Sequence, residues 1–343
     1  MNYHEKKNNC FKNYRDDLSP LIKGRPVSFD LAIKEVKKIV KNSNGIHLDG
    51  LGCDLSGIDR IINFSEKNFA SIDHMAGEEI AGFYSFFQRE GGSISSIGEV
   101  RNRSDLVIFV NADEESIAPN FIEEITKKKR LKNLNLKKKS INFISTKKKN
   151  ETRYNYFTAQ DLNEKLSWLK NNFLTEKNKT VHKEKNNFFK LLKLINESNY
   201  GVIIFKVDKN DHYLTKTVLD LIRTLNIKKK FSLFLYGGAN NLAGFIQSSL
   251  WKTGFPHRYN FTCDGPIYNP LKYSSINQKS IKELQIFVSC FEEFPIINFF
   301  KKNIFIGNSK IKNKKIYDVF IPSSIPGVDQ NGLIVRADQA CVV

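Results

Sequence analysis

Closely spaced cysteines are missing from this sequence. Its five cysteines are an odd number, include no CxxC pair and are scattered from Cys10 to Cys341. Structural zinc sites and iron–sulfur clusters usually take paired ligands from tight turns. The six histidines form no HxH or HExxH spacing. The sequence therefore predicts no metal site, and its cysteines are interpreted as buried or free thiols.

Long apolar runs are also missing. No run reaches the roughly 18 residues that are needed to span a bilayer. The first residues, MNYHEKKNNCFKNYRDD, contain no apolar core of the kind that a secretory signal requires. We therefore expect a cytoplasmic protein without membrane contact.

Acidic residues are few beside the basic ones, with 36 Asp and Glu against 54 Lys and Arg, for a net charge of +18. Lysines cluster at 127–139 and 147–149, a pattern that suits phosphate backbones. However, lysine is also abundant on ordinary helix faces, and no zinc finger, helix-turn-helix or RNA-binding aromatic motif is present. A solvated surface is favoured, docking of an acidic protein is the alternative, and nucleic-acid binding is not expected.

Strand and helix patterns alternate along most of the 343 residues. SFDLAIKEVKKIVKN has helical spacing with Ser28 as its N-cap, whereas LVIFV is wholly apolar, as strands of parallel sheets are. Because parallel strands need crossover helices, the pattern predicts an α/β fold of two Rossmann-like, doubly wound parallel-sheet domains.

The predicted organisation has three parts. Residues 1–24 form a polar N-terminal arm, residues 25–178 a first α/β domain, and residues 179–343 a second α/β domain. After about residue 286 the pattern loosens into short runs such as FVSCF and NIFIG. These runs predict a small, antiparallel, β-rich appendage at the C-terminus.

Two glycine-rich junctions follow strand patterns: DGLGCDLSG (49–57) and YGGANNLAG (236–244). Neither has the GxGxxG spacing of dinucleotide-binding loops or the GxxxxGK of a P-loop. Both remain candidates for simple turns or for ligand loops, and Asn240 and Asn241 suit a helix N-cap or a ligand contact. No nucleophile motif appears, and adjacent carboxylates such as Glu78 and Glu79 point apart.

Several stretches together resemble a known family. They are HLDGLGCDLSGID (47–59), SIDHM (71–75), IGEVRNRSDLVIFV (97–110), YGGANNLAGFIQSSLWKTGFP (236–256), YNP (268–270) and PGVDQNGLIVRAD (326–338). The family is the B subunit of formylmethanofuran dehydrogenase, in the molybdopterin oxidoreductase superfamily. The sequence is most similar to its shortened bacterial relative in the formyltransferase/hydrolase complex of methylotrophs, from about residue 25 onward.

In redox-active archaeal members, the resemblance implies a tungsten or molybdenum bis-pterin, a metal-bound cysteine beside a histidine, and an iron–sulfur cluster on N-terminal cysteines. This chain begins too late for the cluster module. After SIDHM it has GEEIAG, with Glu78, Glu79 and Ile80, where the Cys-His pair is expected, and near YNP it has Cys263 and Ile267 in place of arginines. A carboxylate is a poor ligand for a soft metal. We therefore expect no molybdopterin, tungstopterin, iron–sulfur cluster or catalytic residue.

The resemblance implies a non-catalytic subunit of a complex that oxidises formaldehyde to formate with tetrahydromethanopterin. The implied partners are sibling subunits A, C and D, and the lysines suit a polyglutamate-bearing methanofuran-type carrier. A remnant pterin pocket is predicted at Gly50, Gly52, Gly237, Gly238, Asn240, Asn241, Thr253 and Gly254. An active metal-pterin oxidoreductase and a basic nucleic-acid-binding protein remain the alternatives.

Overall fold

The computed structural model describes residues 18–112, 120–126, 139–147, 153–175, 187–207, 211–234, 239–292, 296, 299–336 and 338–343. These residues form two compact units.

The first unit contains both ends of the described chain: the residues up to Gly77, those from 239 to Arg336, and Val342–Val343. The second unit contains the middle of the chain, from Glu78 to Phe234, together with residues 338–341. The predicted single boundary at residue 178 does not coincide with this division. Alternation along the chain reveals the strands, but it does not reveal which sheet each strand joins.

The helices, in chain order, are α1 (Phe29–Lys41), α2 (Leu55–Lys67), α3 (Gly77–Glu90), α4 (Ile97–Asn102), α5 (Phe121–Thr126), α6 (Leu162–Thr175), α7 (Asn187–Glu197), α8 (His212–Leu225), α9 (Leu242–Thr253) and α10 (Ser275–Gln278). The strands are β1 (Leu21–Ile22), β2 (Arg25–Pro26), β3 (Ile46–Gly52), β4 (Ser71–Ile72), β5 (Leu106–Val110), β6 (Ser140–Ser145), β7 (Asn155–Thr158), β8 (Tyr200–Phe205), β9 (Lys230–Phe234), β10 (Tyr259–Thr262), β11 (Gly265–Tyr268), β12 (Leu284–Ser289), β13 (Lys302–Gly307) and β14 (Val319–Pro322). No helix in these ranges is both long and apolar enough to cross a membrane.

The sheet of the first unit has the order β11-β10-β4-β3-β12-β13-β14-β1-β2. Its five central strands, β4, β3, β12, β13 and β14, run parallel, and antiparallel strands flank them on both sides. The predicted antiparallel appendage is therefore wrong, because β12 pairs in parallel with β3, for example Phe287 with Asp49. All six residues of β12 are buried, as expected for a central strand of a parallel sheet.

The sheet of the second unit has the order β7-β6-β5-β8-β9 and is parallel throughout. Its central strand β5, LVIFV, is fully buried. Phe109 and Phe143 stack across β5 and β6 with ring centroids 4.8 Å apart. The predicted α/β class with parallel sheets is confirmed.

Side chains cap several of the helices at their N-termini. The Ser28 hydroxyl accepts a hydrogen bond from the Leu31 amide at 3.4 Å, which confirms the predicted N-cap of α1. α4 begins with a reciprocal capping box, in which Ser96 and Glu99 each bind the other's backbone amide.

Candidate functional site

The direction of strand order reverses between β3 and β12. From β3 the chain moves to β4 on one side, whereas from β12 it moves to β13 and β14 on the other side. Ligands of open parallel sheets bind outside the carboxyl ends of the strands at such a switch point. The loops after Gly52 and Ser289 therefore mark the place in the first unit where a ligand is expected.

The glycines at this point let the chain pack closely against itself. Gly50 has a φ of +81°, and a Cβ on it would lie 2.5 Å from the Val288 carbonyl oxygen. A Cβ on Gly52 would lie 3.0 Å from Met75 Cε and 3.3 Å from Asn240 Cβ. Neighbouring protein atoms therefore account for both glycines without a ligand.

Asn240 and Asn241 lie at the same switch point, and both have left-handed backbones. The Asn241 side chain does not cap α9. Instead, its Nδ2 donates to the Cys53 carbonyl at 2.9 Å, and its Oδ1 accepts from the Val335 amide at 3.0 Å. Asn240 Nδ2 donates to a Glu292 carboxylate oxygen at 3.2 Å. Asn241 thus cross-links the loop after β3 to the C-terminal segment.

The other predicted pocket residues do not join this group. Thr253 and Gly254 lie at the opposite end of α9, a helix of 12 residues and hence about 18 Å in length. There Thr253 Oγ1 donates to the Ser249 carbonyl at 2.8 Å, and Gly254 ends the helix with a φ of +77°. Gly237 and Gly238 lie outside the described residues.

The C-terminal segment covers part of the switch point. The Leu55 amide donates to the Leu333 carbonyl at 2.8 Å, and a Cβ on Gly332 would lie 3.3 Å from Asp54 Cβ. The start of α2, which a phosphate would otherwise approach, therefore has a protein partner. The chain's own residues provide the hydrogen bonds at this place.

Two cysteines flank the switch point. Cys53 follows β3 and Cys290 follows β12, and both are buried and form no disulfide. Burial raises the pKa of both thiols, and the hydrogen bond from Ser323 only partly opposes this for Cys290. Among the described residues, no group of three or more His, Cys, Asp or Glu could hold a metal ion.

A buried polar cluster, which the sequence motifs do not predict, lies beside the switch point. We call it the aspartate network; its members are His47, Asp49, Ser71, Asp73, Arg258 and Ser275. All are less than 10% exposed. β3 contributes His47 and Asp49, β4 contributes Ser71, and Asp73 follows β4 directly.

Ser275 lies at the centre of the network. Its hydroxyl donates to Asp49 Oδ2 at 2.6 Å, and its amide donates to Asp73 Oδ2 at 3.1 Å. Arg258 Nε contacts both oxygens of Asp73, at 3.1 and 3.0 Å. His47 lies within hydrogen-bond distance of the Ser71 hydroxyl through Nδ1 (2.8 Å) and of the Ser275 hydroxyl through Nε2 (3.0 Å).

Burial dominates the electrostatics of this network. It raises the pKa of Asp73 to about 7, although Arg258 opposes the shift, and the neighbouring Asp49 carboxyl raises the pKa further. Burial also raises the pKa of Asp49 against the Ser275 hydrogen bond. Because two carboxyl groups lie near a single guanidinium, the pair retains a proton close to neutral pH.

Burial keeps the nearby histidines neutral. It lowers the pKa values of His47, His74 and His257 to about 3. His74 accepts the Ala76 amide on Nδ1 at 3.1 Å and stacks on Phe245 with ring centroids 5.4 Å apart. Neutral, enclosed rings of this kind position the chain rather than exchange protons with solvent.

The network holds a short surface segment, residues 269–281. Arg258 Nη1 donates to the Pro270 carbonyl at 3.1 Å. The Ser71 hydroxyl donates to Gln278 Oε1 at 3.1 Å, and Gln278 Nε2 donates to the Lys272 carbonyl at 2.8 Å. The network can therefore fix the position of this segment, and this is the chemistry that its geometry supports.

One lysine of the lysine-rich stretch, Lys139, has hydrogen-bond partners within the protein. Lys139 Nζ donates to the carbonyls of Val100, Arg101 and Ile125, and so satisfies the C-terminal ends of α4 and α5. Lys139 is therefore not a solvated surface charge. The residues from 127 to 138 lie outside the described ranges.

Comparison with known proteins agrees with the sequence resemblance. No protein-family model matches the chain. It is 20% identical to the B subunit of tungsten-containing formylmethanofuran dehydrogenase 2 of Methanococcus maripaludis, over 80% of this chain and 68% of the relative. It is 19% identical to the protein of the same name in Methanocaldococcus jannaschii, over 95% of this chain and 79% of the relative.

The fold has a counterpart among solved structures. A chain of the formyltransferase/hydrolase complex FhcABCD from Methylorubrum extorquens, solved in complex with methylofuran, matches with a TM-score of 0.82 and 18% identity. The match covers 95% of this chain and 92% of that chain. The predicted resemblance is confirmed: the chain has the fold of a formyltransferase/hydrolase complex subunit and is similar in sequence to the B subunit of formylmethanofuran dehydrogenase.

Proposed function

We propose that this chain is a structural, non-catalytic subunit of a formyltransferase/hydrolase complex, in the position of the formylmethanofuran dehydrogenase B subunit. The observation that carries the proposal is the fold match along nearly the whole of both chains. The match extends over 95% of this chain and 92% of that chain, so it concerns the whole subunit and not one domain of it. The proposed partners are sibling subunits A, C and D.

The donors near the switch point do not suit a tungsten or molybdenum pterin. Such a soft metal takes a thiolate, and burial raises the pKa of the Cys53 and Cys290 thiols. The stretch after SIDHM offers Glu78 and Ile80 in place of a Cys-His pair. The Asn241 side chain already binds two backbone groups of the chain itself.

This chain would therefore supply surface and rigidity, and its siblings would supply the transfer and hydrolysis of formyl groups. The proposed pathway oxidises formaldehyde to formate in the cytoplasm with tetrahydromethanopterin. A methanofuran-type carrier with a polyglutamate tail remains a candidate ligand for the lysine-rich stretch. Replacing Lys137 and Lys138 with Glu then raises the carrier KM in a salt-dependent way, and an unchanged KM removes that idea.

The proposal is tested by native mass spectrometry of the chain after affinity purification from its host, together with elemental analysis. We expect a hetero-oligomer with three other subunit types and neither tungsten nor molybdenum. Recovery of the chain alone would overturn its role as a subunit. Tungsten or molybdenum near one atom per chain would instead favour an active metal-pterin oxidoreductase.

A further inference from the structure

The side chains of the segment 269–281 fall into two sets: an inner set that is buried and an outer set that is exposed to solvent. Tyr273, Ser274, Ser275 and Gln278 are buried, and Ser275 and Gln278 contact the aspartate network. Most of the residues between and beyond them are exposed. The segment therefore has one side anchored in the protein and one side open to solvent.

The outer side carries exposed apolar residues among polar and charged ones. Leu271 is 78% exposed, Ile276 57% and Ile281 56%, and Ile267 on the outermost strand β11 is 50% exposed. We call these four residues the docking face. Exposed apolar residues are ordinary when single, but a group within such a short stretch of chain suggests an interaction surface.

Local hydrogen bonds hold this face in shape. The Ser274 hydroxyl and Asn277 Nδ2 both donate to the Leu271 carbonyl, at 3.2 and 2.7 Å. The loop that carries Leu271 is thus tied to the short helix that carries Ile276. The two most exposed apolar side chains of the segment project from one fixed turn.

Positive charge lies along the docking face. Lys272, Lys279 and Lys282 lie within or next to the segment, and no Asp or Glu occurs between Asp264 and Glu283, the two acidic residues that flank this stretch. Lys272 contributes, after burial, to the lowered pKa of Lys282, so the two ammonium groups are near each other. An acidic rim on a partner would relieve this repulsion, whereas a second copy of this surface would increase it.

The buried network explains how such a short segment stays in place. Removing two carboxyl groups and a guanidinium from water is costly, and replacing such groups with apolar residues is often neutral or stabilising. Here the buried polar groups fix a surface segment. Fixing a surface before association reduces the entropy that binding must otherwise overcome.

We propose that the docking face is an interface for another subunit of the complex, one that presents an apolar centre with an acidic rim. This inference rests on the proposed function, because it names the surface through which the chain joins its assembly. Ile267, Leu271, Ile276 and Ile281 form the centre of the contact, and Lys272, Lys279 and Lys282 form its rim. The aspartate network holds the segment in the binding conformation.

The test uses the full-length chain, coexpressed with the other subunits. In one variant, Leu271→Asp and Ile276→Asp are combined, and complex dissociation is followed by native mass spectrometry over a dilution series. Central apolar anchors dominate interface energies, so we expect affinity for a sibling subunit to fall at least about 100-fold. The matched control combines Tyr213→Asp and Ile227→Asp, which replace single, separate residues that are 71% and 67% exposed; it should assemble normally.

A second variant, Lys272→Glu with Lys279→Glu, leaves the apolar residues in place. We expect slower association at low salt and little difference at high salt. If the wild type assembles and both docking-face variants assemble as well as the control, the inference is wrong while the proposed function stands. Loss of a second copy of this chain, instead of a sibling, also overturns it. A wild-type chain recovered alone counts against the proposed function itself.

Discussion

The two sheets bury different kinds of side chain on their central parallel strands. In the second unit, the central strand β5 is LVIFV, and its core relies on stacked rings such as Phe109 and Phe143. In the first unit, β3, one of the five parallel central strands, is IHLDGLG and buries His47 and Asp49 within it. Both central strands are fully buried, but only β3 carries a titratable network.

The difference shows that the first unit buries polar groups, at some cost in stability, to fix the position of a surface segment. Apolar packing, which has no directional demands, fills most of the second sheet, although β6 and β9 bury the hydrogen-bonded side chains of Asn142 and Ser232. The aspartate network demands specific partners, and each missing partner leaves a buried charge or donor. Because the network's hydrogen bonds end on the segment 269–281, we infer that the first unit uses buried polarity to place a surface.

The largest expected effect comes from breaking the ion pair of the first unit. Arg258→Met leaves Asp73, which is 2% exposed, and the neighbouring Asp49 without the guanidinium that opposes their raised pKa values. Loss of one partner of a buried pair costs about 3–5 kcal/mol. The free energy of unfolding, measured by urea denaturation, should fall by that amount.

The double variant Asp73→Asn with Arg258→Met provides the control for that prediction. It removes both charged partners of the ion pair, so neither is left buried and unpaired. Its loss of stability should therefore be clearly smaller than the sum of the two single losses. Additive losses would mean that the two groups do not act as a pair.

A substitution in the second unit sharpens the contrast. Phe143 is fully buried and stacks on Phe109 and Tyr156 at 4.8 and 4.7 Å. Phe143→Ala should cost about 3 kcal/mol through the lost contacts and the cavity. Its effect on the free energy of unfolding should be the same in mildly acidic and mildly basic buffer. A pH-dependent loss would contradict the apolar account of this sheet.

A smaller effect is expected from Ser275→Ala. The substitution removes the hydroxyl that donates to Asp49 and leaves the backbone bond to Asp73 in place. A buried acceptor without its donor costs about 1–3 kcal/mol. Amide hydrogen exchange between residues 269 and 281 should become faster, while α1 remains unchanged. Uniform exchange across both regions would show that the hydroxyl does not hold the segment.

The remaining predictions concern the pH dependence of stability, and the contributions of the two groups have opposite signs. Asp73 has a folded-state pKa raised to about 7, so its contribution to stability is lost as pH rises from about 4 to 7. His74 has a folded-state pKa lowered to about 3, so its contribution is lost as pH falls from about 6.5 to 3. Removing either group should change the slope of stability against pH by up to about 1.4 kcal/mol per pH unit.

His74→Gln should therefore flatten the acid-side loss of stability, and Asp73→Asn should steepen it. Urea denaturation in small pH steps between about 4 and 7 measures both slopes. Slopes that change in the same direction in the two variants would contradict the assigned pKa shifts.

Much of the fold was readable from local patterns. Helical spacing with Ser28 as N-cap predicted α1, and the apolar run LVIFV predicted a buried parallel strand, and both are confirmed. The sequence does not predict which sheet contains the strands of residues 284–322. A short apolar strand has the same pattern in an appendage as in the centre of a sheet, and its partner, β3, lies more than two hundred residues away.

The candidate site was readable only in part. Glycine spacing pointed to Gly50 and Gly52, which lie at the switch point, but it could not show that protein atoms occupy their surroundings. The sequence does not predict the aspartate network, because Ser275 and Arg258 are distant in sequence from Asp49 and Asp73. A signal was present, since Asp and His inside an apolar strand, as in IHLDG, must find buried partners.

If the aspartate network presents the docking face to a different subunit, the lysines of the rim lie beside carboxylates of that subunit. Zero-length carbodiimide cross-linking of the host complex, followed by peptide mass spectrometry, detects such pairs. We expect links from Lys272, Lys279 or Lys282 to Asp or Glu residues of a sibling subunit. An intact complex in which these lysines link only within this chain, or to a second copy of it, would show that the face does not bind a sibling.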